Sequence, residues 1–272
     1  MSIVDEMYVL NNGIQIPKLG FGTFLIEDGD PVRQSVLWAL EAGYRHIDTA
    51  AVYKNEGGVG QAVRDCGIPR EEIFVTSKIS SQIKSFGESV EAIKVSLKTL
   101  DISYIDLMLI HWPQPFGEQD DTKRYYDENQ AVWRAMEEAY ESGSIKSIGV
   151  SNFMEDDLEH FLPNIRIQPM VNQIKAHIGS MDFKLINYCQ ERAILVEAYS
   201  PFGHGEIFDN DVVKKIAEDK GVTVAQLCLR YLLQKNLLPL PKSVHKDYIF
   251  SNIQLDFVLD KNTIASLDNI NS

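Results

Sequence analysis

The sequence predicts an α/β protein of the (β/α)8 TIM-barrel class, with an N-terminal β-hairpin capping the barrel floor. Eight short apolar runs recur along the whole chain, separated by segments with apolar residues at helical spacing, and that alternation describes a parallel barrel. Ahead of the first run, "YVLNNGIQIPKLG" sets Asn12 and Gly13 between alternating apolar residues, the pattern of a tight hairpin turn. A chain of 272 residues, 44% of them hydrophobic, can bury one large barrel core as well as two ordinary domains. No linker or low-complexity segment divides it, so residues 1–272 read as a single barrel domain.

After the hairpin, strands are predicted at Gly20–Phe24, His46–Asp48, Phe74–Lys78, Ile105–His111, Ile148–Ser151, Met170–Gln173, Leu195–Ala198 and Leu237–Leu240. Helical patterns lie between them. "PVRQSVLWALEAG" has Pro31 in its first turn and Gly43 as its stop, and "NQAVWRAMEEAYESG" stops at Gly143. The longest irregular piece, Pro113 to Asn129, is predicted as a loop above the barrel mouth.

Composition removes several function classes. A formal charge of −13 without a basic run argues against nucleic-acid binding, because phosphate neutralisation needs clustered Lys and Arg. Cys66, Cys189 and Cys228 show no CxxC spacing, and the six histidines show no metal-ligand pairing on one element, so neither a disulfide framework nor a metal site is predicted. The N-terminus lacks the basic and apolar regions of a signal peptide, and no stretch approaches ~18 uncharged apolar residues. The expectation is a cytoplasmic protein acting as a monomer.

In a TIM barrel the C-terminal strand ends face one shared pocket, so polar residues just past separate apolar runs converge. Asp48, Lys78 and His111 each follow such a run, and Tyr53 lies in the loop after Asp48. Taken singly, each has an ordinary reading: Asp48 as a helix cap, Tyr53 as a packing ring, Lys78 as a solvated strand end, His111 as a core histidine. Together they form a proton-donor system. A phenol with a pKa near ~10 is a poor acid at neutral pH unless something favours its anion, and a nearby ammonium does so. Lys78 is therefore expected to lower the Tyr53 pKa, Asp48 to hold Lys78 charged, and His111 to orient a substrate oxygen.

At these residues the chain resembles the aldo-keto reductase superfamily, in the branch that includes bacterial diketogluconate and glyoxal reductases. "GYRHIDTAAVYKNE", "VTSK", "LMLIHWP", "IGVSNF", "VNQI", "EAYSPFGHG" and "LPKSV" stand in the family's order and spacing over essentially the whole length. The resemblance implies reduction of aldehydes and ketones with NADPH, NADH being used more weakly, and no Rossmann domain. It implies Tyr53 as proton donor, tuned by Lys78 and Asp48, with His111 orienting the carbonyl. Ser151, Asn152 and Gln173 would hold the nicotinamide carboxamide, with Tyr199 stacked on the ring. Thr23 and Asp48 would join the cofactor contacts, and Ser200, Pro201, Phe202 and Gly205 would line the pyrophosphate. Lys242 and Ser243 would meet the 2′-phosphate, Tyr248 would lie beside it, and Asn252 would meet the adenine. Phe24, Tyr53, Ser80, His111 and Trp112 would bound a small carbonyl substrate.

Three departures from the family pattern follow. Ser80 stands where many relatives have an aromatic, which predicts an open pocket wall. Lys175 and Ile178 replace a Glu and a Pro around His177, whose role is read as structural. Tyr248 stands where many NADPH-using relatives have an arginine. Two rival readings stay open from the residues: a lyase with Lys78 as a Schiff-base amine, and a non-catalytic NADPH-binding sensor subunit.

Overall fold

The computed structural model of the chain describes residues 2–118 and 123–270. The N-terminal hairpin pairs β1 (Met7–Val9) with β2 (Gln15–Pro17) in antiparallel register, and Gly13 takes the positive φ of +85° that closes its turn. Three side chains dock it on the starts of later strands. Tyr8 donates to Leu237 O at 3.3 Å, Asn11 to Pro169 O at 2.9 Å and Asn12 to Lys146 O at 3.1 Å. Ile16 and Leu10 are buried beneath it, so the hairpin covers the barrel floor as predicted.

The eight predicted strands are present as β3 (Phe21–Gly22), β4 (His46–Asp48), β5 (Phe74–Ile79), β6 (Ile105–Ile110), β7 (Ile145–Ser151), β8 (Val171–Lys175), β9 (Leu195–Tyr199) and β10 (Leu238–Leu240). They run parallel in chain order. The last meets the first: Gly20 donates to Pro239 O at 3.2 Å and Gly22 to Pro241 O at 2.9 Å. That seam needs glycine, because a Cβ on Gly20 would stand 2.5 Å from Leu240 Cδ2 and 2.6 Å from His46 Nδ1.

Most strands differ from their predicted boundaries by one or two residues, and two of the differences have a clear physical reason. β3 is shorter than Gly20–Phe24 because Thr23 N–H turns to Asp48 O at 3.0 Å and Leu25 adopts a φ of +60°, leaving the Phe24 side chain exposed at the mouth. β7 begins at Ile145, three residues before the predicted Ile148; the polar Lys146 and Ser147 hid a strand start whose Ser147 faces a fully buried position.

Helices α1 (Asp30–Ala42), α2 (Glu56–Asp65), α3 (Phe86–Leu100), α4 (Tyr126–Glu141), α5 (Glu155–Phe161), α6 (Phe183–Glu191), α7 (Asp211–Lys220), α8 (Val224–Gln234), α9 (Lys246–Ser251) and α10 (Lys261–Asp268) follow the strands. Two exceed one per strand, since α7 precedes α8 between β9 and β10 and α10 follows α9. Gly43 ends α1 with a left-handed φ of +111°, as its sequence position predicts. Of the piece Pro113–Asn129, the last four residues belong to α4, which Tyr126 opens, and residues 119–122 lie outside the described residues. Among the described residues no helix is long and apolar enough to cross a membrane.

Candidate active site

The site begins with how Tyr53 is held. Past β4 the chain makes a single 3-10 turn, Ala51–Tyr53, and leaves it through Lys54 at a φ of +58°. Buried Asn55 fixes this excursion: its amide donates to Thr23 O and Ile26 O, both at 2.9 Å, and its carbonyl accepts from Thr49 Oγ1 at 2.8 Å. These two residues, Thr49 and Asn55, were not singled out from the sequence, although both lie inside "DTAAVYKNE". A polar side chain just after a strand and another just before a helix was the signal available.

Lys78 comes from β5 and is fully enclosed. Its Nζ donates to Asp48 Oδ1 at 2.7 Å, Asp48 Oδ2 at 2.8 Å, Thr49 O at 2.9 Å and Tyr53 Oη at 3.3 Å. Burial pulls the Lys78 pKa down, but the Asp48 carboxylate and the Tyr53 phenol outweigh it and leave it above the ordinary lysine value. A permanently charged, fully donated ammonium is a poor Schiff-base nucleophile, which disfavours the lyase reading.

Tyr53 requires a correction. Lys78 does pull its pKa down, as the sequence reading expects, yet burial is the larger effect and the Asp48 charge adds to it, so the net displacement is upward. The resting phenol is held protonated. An ammonium 3.3 Å from the hydroxyl would stabilise a phenolate there, were the proton lost.

His111 follows β6, and its ring meets that of Tyr53 edge-on at 5.6 Å. Burial and the Lys78 charge lower its pKa to about 3, so it is a neutral imidazole that can donate one hydrogen bond. Phe24 lies 5.0 Å from the Tyr53 ring. Trp112 is half-buried, and its carbonyl accepts from Lys84 Nζ at 3.3 Å, while half-buried Ser80 accepts from Gln82 N–H at 3.4 Å.

From the strand ends beside this set comes a second polar group. Ser151 donates to Gln173 O at 2.8 Å, Asn152 donates to His111 O at 3.0 Å, and Tyr199 donates to Asn152 Oδ1 at 2.8 Å. Asn152 and Ser200 hold positive φ values of +61° and +50°. Such conformations are costly for non-glycine residues and mark the exits of β7 and β9 as constrained. Gln173 donates to Asp48 Oδ2 at 2.9 Å and to Glu197 Oε2 at 2.7 Å. Thr23 is enclosed, its hydroxyl donating to Asp48 O at 3.0 Å.

Pro201 is buried after Ser200, and Gly205 continues the loop at a φ of +104°. A cleft of about 560 Å³ opens beyond, lined by Phe202, Phe208, Thr223, Val224, Ala225, Lys242, Ser243, Tyr248, Ser251 and Asn252. The five sequence-predicted members Phe202, Lys242, Ser243, Tyr248 and Asn252 thus come together from three separate segments. Phe208, Thr223, Val224, Ala225 and Ser251 were missed, because their order along the chain carries no motif. Tyr248 is 63% exposed and meets His245 edge-on at 5.3 Å. His177 is buried, with Nδ1 on Ile178 O at 2.8 Å, and a Cβ on Gly203 would reach 2.9 Å from its ring, so it props the loop from beneath.

A closed parallel barrel with Tyr53, Lys78, Asp48 and His111 gathered at its C-terminal rim defines an oxidoreductase class that works without a Rossmann domain. The profile of the Aldo/keto reductase family matches residues 18–272, and the chain belongs to that family. It is 40% identical over 263 residues to glyoxal reductase of Bacillus subtilis, covering 96% of this chain and 91% of the relative. It is 38% identical over 284 residues to aldehyde reductase YPR1 of Saccharomyces cerevisiae, covering 96% and 89%. Among solved structures, the aldo/keto reductase from Brucella melitensis superposes with a TM-score of 0.92 at 36% identity over 100% of this chain and 99% of that one. The Bombyx mori aldo-keto reductase in complex with NADP superposes with a TM-score of 0.88 at 36% identity, over 98% and 92%.

Proposed function

We propose that the protein reduces small aldehydes and ketones to alcohols with NADPH, Tyr53 supplying the proton. The observation that carries this reading is the enclosed Lys78 ammonium, donated at once to Asp48 and to the Tyr53 hydroxyl. Carbonyl-reducing relatives and the NADP complex of the Bombyx mori enzyme support it.

The residues present fit such a cofactor. Among the described residues Gln173 Oε1 accepts no hydrogen bond, so an acceptor is left for a carboxamide N–H. The cleft of about 560 Å³ offers apolar walls for an adenine and the Lys242 cation for a phosphate. Ser151, Asn152 and Gln173 would hold the carboxamide, Tyr199 the ring, Ser200, Pro201, Phe202 and Gly205 the pyrophosphate, and Lys242, Ser243, Tyr248 and Asn252 the far end. When bound, the cofactor supplies the hydride.

The chain's own residues do the rest. The Tyr53 hydroxyl and the neutral His111 imidazole both donate to the carbonyl oxygen, which fixes its carbon and raises its electrophilicity. As that oxygen gains charge, Tyr53 passes its proton, and the Lys78 ammonium 3.3 Å away stabilises the phenolate. Asp48, chelating Lys78 through both oxygens, keeps that ammonium charged and aimed. Phe24 and Trp112 supply apolar walls that suit a modest organic substrate.

Absorbance loss from NADPH, and separately NADH, against a panel of aldehydes, α-dicarbonyls and keto-sugars tests the reading. Turnover with NADPH is expected. Tight NADPH binding with no turnover of any carbonyl would favour the sensor reading instead.

A further inference from the structure

Glu197 sits on β9 facing the barrel interior, two residues before Tyr199, and is fully enclosed. Its Oε2 accepts from Gln173 Nε2 at 2.7 Å, and the same nitrogen donates to Asp48 Oδ2 at 2.9 Å. Among the described residues its Oε1 has no hydrogen-bond partner, and it lies 4.0 Å from His46 Nε2, which is engaged with Thr76 Oγ1 at 2.9 Å. None of the roles above uses this carboxyl.

Two consequences follow from the geometry. A primary amide has two N–H donors on one atom and only acceptors on the other, so the ionised Asp48 can face only its nitrogen, whose second N–H the unprotonated oxygen of Glu197 accepts. Glu197 and Asp48 together therefore select one of the two amide orientations of Gln173, with both N–H groups spent inward and the carbonyl oxygen left for the cleft. The second consequence concerns charge. The groups facing Glu197 are Asp48 and His46 from β4, Lys78 from β5 and Gln173 from β8. His46 is neutral, its pKa lowered to about 3 by burial and by Lys78. Lys78 is the one cation in that group and is chelated by both oxygens of Asp48. A second carboxyl in a dry interior, with one oxygen unpaired and no cation of its own, is held as the neutral acid.

We propose that Glu197 is a positioning residue: as a neutral acid it clamps the Gln173 amide beneath the site, so that the Gln173 carbonyl oxygen is presented to the carboxamide of a bound nicotinamide. This rests on the cofactor reading above. Burial and the Asp48 charge raise the Glu197 pKa to about 8, so the clamp changes charge just above neutrality. Ionisation would place a second negative charge beside Asp48 and oppose formation of the Tyr53 phenolate. Carbonyl reduction should therefore fall as pH rises through that range.

Infrared titration of the protein without cofactor reads the acid directly. The wild type should show the carbonyl stretch of a neutral, non-hydrogen-donating carboxylic acid at neutral pH, lost on alkalinisation with a midpoint near 8 and absent from Glu197→Gln. NADP⁺ binding, followed by quenching of protein fluorescence, reads the clamp. Glu197→Gln retains an acceptor for the Gln173 N–H and should bind within about twofold of wild type, whereas Glu197→Leu should weaken binding about three- to tenfold, the worth of one oriented hydrogen bond. Gln173→Leu should lose about as much, and the double variant no more than either, because the two act through one contact. In turnover, the alkaline fall near pH 8 should be absent from Glu197→Gln. An ionised Glu197 at neutral pH, or losses in the two leucine variants that simply add, would overturn the proposal. Failure of the wild type to bind NADP⁺ would overturn the cofactor reading and the clamp with it, whatever the infrared band shows.

Discussion

Replacing Lys78 with methionine removes the centre of the tetrad while keeping the side chain's length and most of its volume. Four contacts go at once: two to Asp48, one to Thr49 O and one to Tyr53. Asp48 is left 4% exposed, with only Gln173 as a side-chain donor. Removing one partner of a buried ion pair typically costs about 3–5 kcal/mol, because the remaining charge stays desolvated and unpaired. On the proposed mechanism catalysis loses the charge that would stabilise the Tyr53 phenolate, and general acid assistance is worth roughly 10² to 10⁴ in rate. Lys78→Met should therefore lower the unfolding free energy by about 3–5 kcal/mol in urea titrations followed by tryptophan fluorescence. It should also lower kcat at least ~100-fold. A second substitution separates the two effects. Asp48→Asn in the Lys78→Met background removes the stranded charge and should restore about half or more of the lost stability without restoring turnover. A single variant with turnover within about tenfold of wild type, or a double variant no more stable than Lys78→Met, would refute the reasoning.

The cofactor end makes a sharper prediction than affinity alone. Tyr248 supplies neither the charge nor the forked donor of a guanidinium, so Tyr248→Arg should tighten NADPH roughly ten- to a hundredfold while leaving NADH nearly unchanged, and Lys242→Ala should nearly erase the preference. Equal shifts for both cofactors in fluorescence titrations would remove Tyr248 from the phosphate end. Acid stability follows from the two buried neutral histidines. His46 and His111 have folded pKa values near 3 against 6.5 unfolded, so between those values the unfolded chain binds more protons and stability rises with pH. Each contributes at most about 1.4 kcal/mol per pH unit to that slope. Urea midpoints should climb as pH is raised through this window, and His46→Asn should flatten the climb; a flat wild-type profile would contradict the neutral assignment.

Much of this fold was legible because its strands are buried on both faces and so read as continuous apolar runs, each followed by an amphipathic helix. What the sequence hid was local. The start of β7 is disguised by Lys146 and Ser147, whose polar atoms are not visible as interior until the barrel is closed. β3 ends early because Thr23 bonds to the end of β4, a long-range contact with no local mark. The four residues of the tetrad could be named from position, since Asp48 and Lys78 stand at the C-terminal ends of their strands, His111 just past β6 and Tyr53 in the loop after β4. The direction of the Tyr53 shift could not: it depends on how far burial outweighs the ammonium, a balance set by packing depth rather than by spacing. Glu197 escaped notice for a similar reason. In "LVEAYS" it resembles a solvated charge interrupting a strand, and only the barrel interior makes it an enclosed acid beneath Gln173.

The central claim is that Tyr53 gives up the proton, and Tyr53→Phe tests it most directly. The variant keeps the ring contacts with Phe24 and His111 at 5.0 and 5.6 Å and removes only the hydroxyl that Lys78 touches. NADPH affinity should stay within about twofold of wild type. Turnover of every aldehyde and ketone in the panel should fall by roughly 10² to 10⁴. Retained affinity with turnover near that of the wild type would contradict the account and require another proton donor.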